Sequence, residues 1–299
     1  MIGCSHYGKK PVENGVLRCR VRDEQKRTLY TCVKSGISVN CGEKKNIETQ
    51  VYIYDNVPNA FSKLTVEACL CWDGGETRNS WNVWLAPAPS LCAEKQAQIT
   101  VDVQSPWLYS QLKMTYGAID TREDGALLIT DQFNEKTLDA LARGASVLLL
   151  GQNHFEARVT EFGSARSEFA RGTLIADHPL FDHIANDGWC DIPFAGLISD
   201  NRVLEGNRDS SGCVYALGDG WPKELEPIIM GVPSYKDADP KRLAHLFEIR
   251  VGAGRLMAST FKFGSPHAQS AFDLFFWTNC CNICFQKNLL RRPRSRRNS

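Results

Sequence analysis

The densest set of polar side chains that could do chemistry lies between positions 178 and 191. Its members are two histidines, three carboxylates and a tryptophan, namely His178, Asp182, His183, Asp187, Trp189 and Asp191. Histidine and carboxylate groups at this density could bind a metal ion or a sugar. His178-Pro179 is a turn signal, however, and Asp187 resembles a turn or cap residue. A structural role for this set is therefore favoured over a ligand pocket.

Two further residues bear on a ligand site. Trp189 could stack on a sugar ring if it is exposed, although a tryptophan beside Cys190 is more often part of a core. Glu248 alternates with apolar neighbours, as in a strand, and it would form a glycosidase carboxylate pair with Asp191 only by coincidence. A structural salt bridge from Glu248 to Arg250 or Arg255 is favoured over catalysis.

The candidate ligand-binding residues are therefore His178, Trp189, Asp191 and Glu248, with no catalytic residue and no metal ligand assigned. The sequence contains neither G-x-G-x-x-G after a strand nor G-x-x-x-x-G-K-[ST], so nothing anchors a nucleotide phosphate. It also lacks G-x-S-x-G and G-x-C-x-G, and Cys213 lacks the strand-to-helix setting of a nucleophile. We expect no cofactor.

The twelve cysteines are scattered along the chain. Structural zinc usually needs four ligands in two close pairs. Cys281-Asn-Ile-Cys284 is one such pair, and Cys69-Leu-Cys71 places two thiols on one face of a strand. Neither has a convincing partner pair, so the favoured interpretation is buried free thiols that act as small apolar residues.

Charge and hydropathy exclude several classes of partner. The formal net charge is +1, which gives no argument for nucleic acid or for an anionic membrane. No apolar run approaches the ~20 residues that cross a bilayer, and the N-terminus lacks the apolar core of a signal peptide. These features predict a cytoplasmic chain as written, unless it is a piece of a longer protein. Residues 286–299 are rich in arginine and are predicted to form a disordered tail.

The N-terminal part, residues 1–86, has the pattern of short antiparallel strands. Apolar and polar residues alternate over 16–22, 27–33, 47–54, 64–72 and 79–85. Turn residues separate these runs, including Lys34-Ser35-Gly36 and Asp73-Gly74-Gly75. This spacing predicts a β-sandwich of immunoglobulin type, with Trp81 and Trp84 on opposite faces of its last strand. Residues 87–99 are predicted to be a linker.

The pattern changes over residues 100–285. Gly125–Asp131 and Ala145–Gly151 are short apolar strands, and Asn134–Arg143 between them predicts a helix capped by Asn134, stopped at Gly144 and apolar at Leu138 and Leu141. Strand, helix and strand with short connections indicate a βαβ unit. Further elements are predicted at Leu225–Val232, a strand, and Ala268–Trp277, a closing helix. This predicts a three-layer α/β domain like flavodoxin or the class I glutamine amidotransferase fold.

A β-hairpin is predicted at Ala244–Phe263. Two β-rich runs, His245–Val251 and Leu256–Phe263, flank Gly252-Ala253-Gly254. Both glycines can supply the positive φ of a tight turn.

Three motifs, taken in order, resemble the C-terminal region of large bacterial glycoside hydrolases of the family 2 type, often labelled sugar-binding-domain proteins. Asn79-S-W-N-V-W-L-A-P87 is similar to N-x-W-x-x-W-x-x-P, and Gly172–Asp191 is similar to G-T-x-I-x-x-x-H-P-x-x-x-x-F-P-x-x-G-x-x-D. Leu246-F-E-I-R-V-G-A-G-R-L-M is similar to L-F-E-x-x-V-G-x-G-K-L-L. Asn186 departs from the family proline, and the sequence after Trp277 does not follow the family.

The resemblance implies carbohydrate metabolism. The catalytic residues of that family are two glutamates on a (β/α)₈ barrel of about 250 residues, for which this chain has no room. The resemblance therefore implies a non-catalytic accessory region that shapes the cleft or the oligomer of a separate barrel, its partner in cis or in trans. It also implies an exported or periplasmic parent and a possible homo-oligomer.

Two alternatives stay open. One is a self-contained hydrolase, which requires His178, Asp191 and Glu248 to converge in one pocket. The other is a carbohydrate-binding module, which requires an exposed tryptophan among Trp81, Trp84 and Trp189.

Overall fold

The computed structural model describes residues 2–48, 61–87, 91–117, 125–151, 154–159, 173–184, 186–197, 201–202, 209–210, 213–231, 241–261, 263 and 271–286. The chain divides into two compact units, residues 1–87 and 88–299. Both α and β structure are present, with strands predominant. Among the described helices, none combines the length and the apolar character that crossing a membrane requires.

The N-terminal unit is built from antiparallel strands. They are β1 (Ile2–Ser5), β2 (Val12–Arg22), β3 (Thr28–Val39), β4 (Lys44–Ile47), β5 (Ser62–Trp72) and β6 (Gly75–Leu85). β1 pairs with β4, and the other four form a sheet in the order β3-β2-β5-β6. Alternate side chains of β2 and β5 join Ile47 of β4 in one apolar core. Of the strand predicted at 47–54, residues 49–54 lie outside the described residues.

The turn predicted at Lys34-Ser35-Gly36 is wrong, because β3 continues through these residues to Val39. The register shifts there, from Leu17 opposite Lys34 to Gly15 opposite Ile37. Gly36 has a φ of 74°, which a glycine adopts without steric cost. The local sequence thus marks a β-bulge, a feature that absorbs an extra residue without ending the strand.

The C-terminal unit holds the remaining elements. Its strands are β7 (Ile99–Asp102), β8 (Leu127–Thr130), β9 (Ser146–Leu150), β10 (Ala157–Val159), β11 (Thr173–Ile175), β12 (Asn201–Arg202), β13 (Asp209–Ser210), β14 (Cys213–Leu217), β15 (Ile229–Gly231), β16 (Arg242–Val251) and β17 (Gly254–Ser259). Its helices are α1 (Ala93–Gln96), α2 (Pro106–Tyr116), α3 (Glu135–Ala142) and α4 (Ala271–Cys284). The short helix α1 lies within the stretch 87–99 that the sequence predicts as a linker.

Nine of these strands form a mixed sheet. Its main order is β10-β14-β16-β17-β9-β8-β7, while β15 pairs with β16 and β11 pairs with β15. The three pairings among β7, β8, β9 and β17 are parallel. The predicted βαβ unit is therefore present as β8, α3 and β9.

The ends of helix α3 agree with the prediction, but its buried face agrees only in part. Asn134 caps it by accepting a hydrogen bond from the Thr137 backbone N–H, and Gly144 follows it with a φ of 90°. The buried residues are Thr137, Ala140 and Leu141. Leu138, which was predicted to belong to the apolar face, is 47% exposed.

Helices cover both faces of the mixed sheet. Val147 and Leu149 of β9 pack with Leu141 of α3 in one core cluster. Ser146, on the opposite face of β9, donates a hydrogen bond to the Cys284 carbonyl oxygen of α4. This arrangement has three layers, α/β/α, in which strand alternation separates the two apolar faces.

Helix α4 ends later than the predicted Ala268–Trp277, and residues 268–270 lie outside the described residues. It continues through Cys284, and Trp277, Cys280 and Cys281 are all fully buried. The residues after Trp277 thus contribute to the core, although they do not follow the family pattern. Residues 287–299, most of the predicted tail, lie outside the described residues.

Candidate functional site

Two of the four candidate ligand-binding residues meet in the structure. The Nε2 atom of His178 lies 3.3 Å from Oε1 of Glu248, although the residues are 70 positions apart. His178 precedes the 3₁₀ turn Pro179–Phe181, and Glu248 lies in the middle of β16. Both side chains are largely shielded from water, with exposed fractions of 4% and 12%.

Local backbone chemistry fixes the His178 ring. Its Nδ1 atom accepts a hydrogen bond of 3.1 Å from the Leu180 backbone N–H, so this nitrogen carries no proton. The proton of the neutral ring is then on Nε2, which donates to Glu248. The contact is thus a hydrogen bond from a neutral imidazole to a carboxylate. The His178-Pro179 turn signal accounts for this geometry, because the imidazole caps the turn.

Arg255 supplies the charge partner of Glu248. Its Nη1 atom lies 3.7 Å from Oε2 of Glu248, which confirms the salt bridge predicted between these residues. Arg250, the other predicted partner, is exposed. Glu248 and Arg255 lie on the same face of the hairpin, since Glu248 is opposite Met257 and Arg255 is opposite Arg250.

The same guanidinium also caps a helix. Nη2 of Arg255 donates a hydrogen bond to the carbonyl oxygen of Ile283, in the last turn of α4. A cation is favourable there because the last carbonyl groups of a helix lack intrahelical partners. One chain of contacts therefore joins the His178 turn, the β16–β17 hairpin and the end of α4, and each side chain in it has a structural partner.

Trp189 and Asp191 have different local roles. Trp189 pairs with Leu174 in an isolated bridge, and its side chain is 40% exposed, so it is not part of the core. Asp191 accepts a hydrogen bond of 2.7 Å from the Ile192 backbone N–H and caps the 3₁₀ helix Ile192–Gly196. Trp189 is thus available to a ligand, whereas Asp191 contacts the backbone of the helix that it caps.

The described cysteines are free thiols, and several are buried. Burial raises the pKa of Cys190 and of Cys281 to about 12. Such thiols keep their protons near neutral pH and pack as small apolar groups. The Cys213 side chain is outside the described residues. The thiols of Cys69 and Cys71 have a different environment. They are partly exposed, and the carboxylate of Glu76 lies beside them.

Sequence reasoning did not find Glu76. Only the strand register places it next to the two thiols, since Cys71 and Glu76 are opposite each other in the β5–β6 pairing. The signal that could have found it is the two-residue Asp73-Gly74 turn, because a turn of fixed length sets the register of a hairpin.

Two family models match the chain. Residues 128–275 match a domain of unknown function (DUF8487), and residues 1–87 match a second domain of unknown function (DUF8488). No curated protein matches.

The similar solved structures are β-glucuronidases and other family 2 glycosyl hydrolases. A β-glucuronidase from Parabacteroides merdae is 11% identical, with 50% of this chain and 23% of that chain covered and a TM-score of 0.18. Bacteroides uniformis β-glucuronidase 2 is 11% identical, with 50% and 20% covered and a TM-score of 0.21. A glycosyl hydrolase family 2 member from Bacteroides cellulosilyticus is 13% identical, with 48% and 22% covered and a TM-score of 0.19. This chain therefore spans less than a quarter of the length of these enzymes, and the TM-scores are too low to establish a common fold.

Proposed function

We propose that this chain is a non-catalytic accessory region of a glycoside hydrolase of the family 2 type. In this proposal residues 1–86 form an immunoglobulin-like β-sandwich, and residues 100–285 form a degenerate amidotransferase-like α/β domain. The region shapes the active-site cleft or the oligomer of a separate catalytic barrel. Its support is the ordered resemblance of three motifs, at residues 79–87, 172–191 and 246–257.

The observation that carries the proposal is the contact between two of these motifs. His178 belongs to the second motif and Glu248 to the third, and their side chains meet at 3.3 Å. Arg255, also in the third motif, pairs with Glu248 and caps α4. These three polar side chains thus hold a turn, a hairpin and a helix together. Residues used in this way suit a scaffold better than a catalytic centre.

The test is co-expression with a glycosidase barrel from the same genome, preferably one encoded beside this chain. We expect a stable complex on size-exclusion chromatography and a higher melting temperature of the barrel in the presence of the chain. The chain alone should not hydrolyse p-nitrophenyl β-glycosides, because in this proposal the two catalytic glutamates belong to the separate barrel.

A matched pair of substitutions distinguishes the loss of a buried structural contact from the loss of a surface charge. Glu248→Gln removes the charge that faces Arg255, whereas Glu224→Gln changes an exposed carboxylate. We expect the first substitution, but not the second, to weaken the complex. Hydrolysis by the isolated chain, or the absence of any complex with each family 2 barrel of the genome, would contradict the proposal.

A second candidate function is carbohydrate binding, which is favoured by tryptophan exposure. Trp81 and Trp189 are each 40% exposed, and a partly exposed indole is a stacking surface for a sugar ring. Affinity electrophoresis in polysaccharide gels tests this idea with the variants Trp81→Ala and Trp189→Ala. Retardation that either variant abolishes supports it, and equal mobility in all gels rejects it.

A self-contained hydrolase at His178, Asp191 and Glu248 has less support. The first and third of these side chains are 4% and 12% exposed, and Asp191 caps a 3₁₀ helix. A substrate would have to displace these structural contacts to reach the groups. The assay of the isolated chain described above also tests this alternative.

A further inference from the structure

Two thiols and a carboxylate lie close together near the turn of the β5–β6 hairpin. The Sγ atoms of Cys69 and Cys71 lie 3.4 Å apart. Each of them lies 3.9 Å from Oε2 of Glu76. The three ligand-type atoms thus form a compact triangle on a partly exposed surface.

The sequence builds this triangle through strand geometry. Cys69 and Cys71 are two positions apart in β5, so their side chains point to the same face. The pairing places Glu76 opposite Cys71 and Arg78 opposite Cys69. The Asp73-Gly74 turn fixes this register, since only two residues separate the paired Trp72 and Gly75.

The triangle has nearly the dimensions of a tetrahedral zinc site. Zinc–sulfur bonds of about 2.3 Å and a zinc–oxygen bond of about 2.0 Å imply a sulfur–sulfur separation of about 3.8 Å and sulfur–oxygen separations of about 3.5 Å. The observed separations of 3.4 and 3.9 Å differ from these edges by about 0.4 Å, which small side-chain rotations can supply.

We propose that Cys69, Cys71 and Glu76 bind a divalent ion of the zinc class, with the fourth coordination position open to solvent. Two thiolates and one carboxylate favour a borderline-soft ion such as Zn²⁺ over Mg²⁺ or Ca²⁺, which prefer oxygen ligands alone. Partial exposure of the ligands gives the ion an entry path. This site is independent of the proposed function.

The charges around the thiols agree with a cation site. The carboxylate of Glu76 places a negative charge 3.9 Å from each of the two Sγ atoms. A divalent cation would relieve the repulsion among the three anionic ligands. Arg78 holds the Glu76 carboxylate, with Nη2 at 3.0 Å from Oε1 and 3.1 Å from Oε2. Such an outer contact orients a ligand.

The other cysteines of the N-terminal sheet cannot complete this site. Cys19 and Cys32 are paired across β2 and β3, and Cys19 is buried in the core. Cys69 is opposite Arg18, the neighbour of Cys19, so strand alternation puts Cys69 on the other face of the sheet. The proposed site therefore has three protein ligands.

The test is a cobalt titration of the full-length chain, purified without metal and fully reduced. Co²⁺ is the probe because cobalt–thiolate sites absorb light, and Zn²⁺ competition then gives the zinc affinity. We expect one equivalent to produce a thiolate charge-transfer band. Cys69→Ser or Cys71→Ser should weaken binding by at least about 100-fold and Glu76→Gln by about 10-fold, because losing a side chain that contacts the ion costs at least as much as losing a partner of such a side chain.

Cys41→Ser is the matched control, because Cys41 is an exposed thiol elsewhere in the same unit. It should leave the band and the affinity unchanged. Circular dichroism verifies that each variant is folded, and X-ray absorption of the zinc-loaded wild type should show two sulfur ligands. The absence of a thiolate band in the reduced wild type, the same band in Cys69→Ser, or a site with four sulfur ligands would overturn the proposal.

Discussion

At the scale of single residues, the chemistry of this chain depends on how each polar group is satisfied. His178 is a candidate ligand-binding residue in the sequence, but both of its ring nitrogens have partners in the structure, Leu180 and Glu248. Glu248 in turn faces Arg255. Buried polar groups need such partners because an unsatisfied group costs about 1–3 kcal/mol. Asp191 caps its 3₁₀ helix for a different reason, because the first backbone N–H groups of a helix lack intrahelical partners.

A second buried histidine, His245, should make the free energy of unfolding depend on pH. His245 is 3% exposed, and its ring stacks on Phe261. Burial lowers the pKa of His245 to about 3, from an ordinary value of 6.5. The fold therefore favours the uncharged ring. Its stabilising contribution is complete above pH 6.5 and is lost as the pH falls from 6.5 towards 3, because the unfolded chain then binds a proton.

We expect this loss to reach roughly 2 kcal/mol at pH 5, at about 1.4 kcal/mol per pH unit. Urea unfolding of wild type and His245→Gln at pH 5 and pH 8 measures it, since the variant cannot take up this proton. The wild type should lose that much more stability than the variant on acidification. His183→Gln, at an exposed position, is the control. A parallel pH dependence of wild type and His245→Gln would rule out this explanation.

At the scale of elements, the β16–β17 hairpin connects the two sides of the three-layer domain. Glu248 and Arg255 face α4, while Phe247 and Leu256 join the core cluster on the α3 side. The two glycines that predicted the hairpin have different functions. Gly252 has a φ of 58° and supplies the turn, whereas Gly254 does not have a positive φ and instead allows a close approach to α3.

Because of this close approach, even a small side chain at position 254 should lower the stability of the fold strongly. A Cβ atom there would lie 2.7 Å from Leu141 Cα and 2.5 Å from the Ala145 carbonyl oxygen, and neither backbone atom can move cheaply. We expect Gly254→Ala to destabilise the C-terminal unit by about 3 kcal/mol, as overpacking does. Chemical denaturation followed by circular dichroism measures the change in unfolding free energy.

Gly252→Ala is the matched control in the same turn. A Cβ atom at Gly252 meets nothing within 4 Å, so only its left-handed φ matters. The cost there should be about 1 kcal/mol. Equal costs at the two positions would show that turn conformation, and not the contact with α3, determines the need for glycine at Gly254.

At the scale of the whole molecule, each of the two units has its own apolar core. Residues 1–87 contain a core formed by both of their sheets. Residues 88–299 contain a larger core between α3 and the mixed sheet. A unit with its own core can in principle fold alone.

We therefore expect residues 88–299 to fold as an isolated fragment. Near-ultraviolet circular dichroism and a cooperative thermal transition should report this, since Trp277 and several phenylalanines are fixed in its core. The matched control is residues 88–252, which ends inside the hairpin and lacks β17 and α4. This shorter fragment should show no cooperative transition. A fragment 88–299 that is as disordered as the control would refute the independence of the unit.

The sequence alone determined the local elements whose signals are short-range. Asn134 and Gly144 set the ends of α3, because capping depends on residues within one turn. The glycines around Ala253 indicated the hairpin, and alternation over residues 16–22 and 64–72 indicated the strands β2 and β5. It also offered Arg250 or Arg255 as the partner of Glu248, and the structure shows the pair with Arg255.

Only the tertiary structure decided which distant groups meet and which face is buried. The sequence could not place His178 against Glu248, since a contact across 70 positions depends on the packing of a turn against a sheet. It mistook Leu138 for a core residue, because the contact surface of the sheet selects the buried face of a short helix. It read Gly36 as a turn, although pairing with β2 extends the strand through a bulge. Glu76 joins Cys69 and Cys71 for the same reason: strand pairing brings together residues that neither strand identifies by itself.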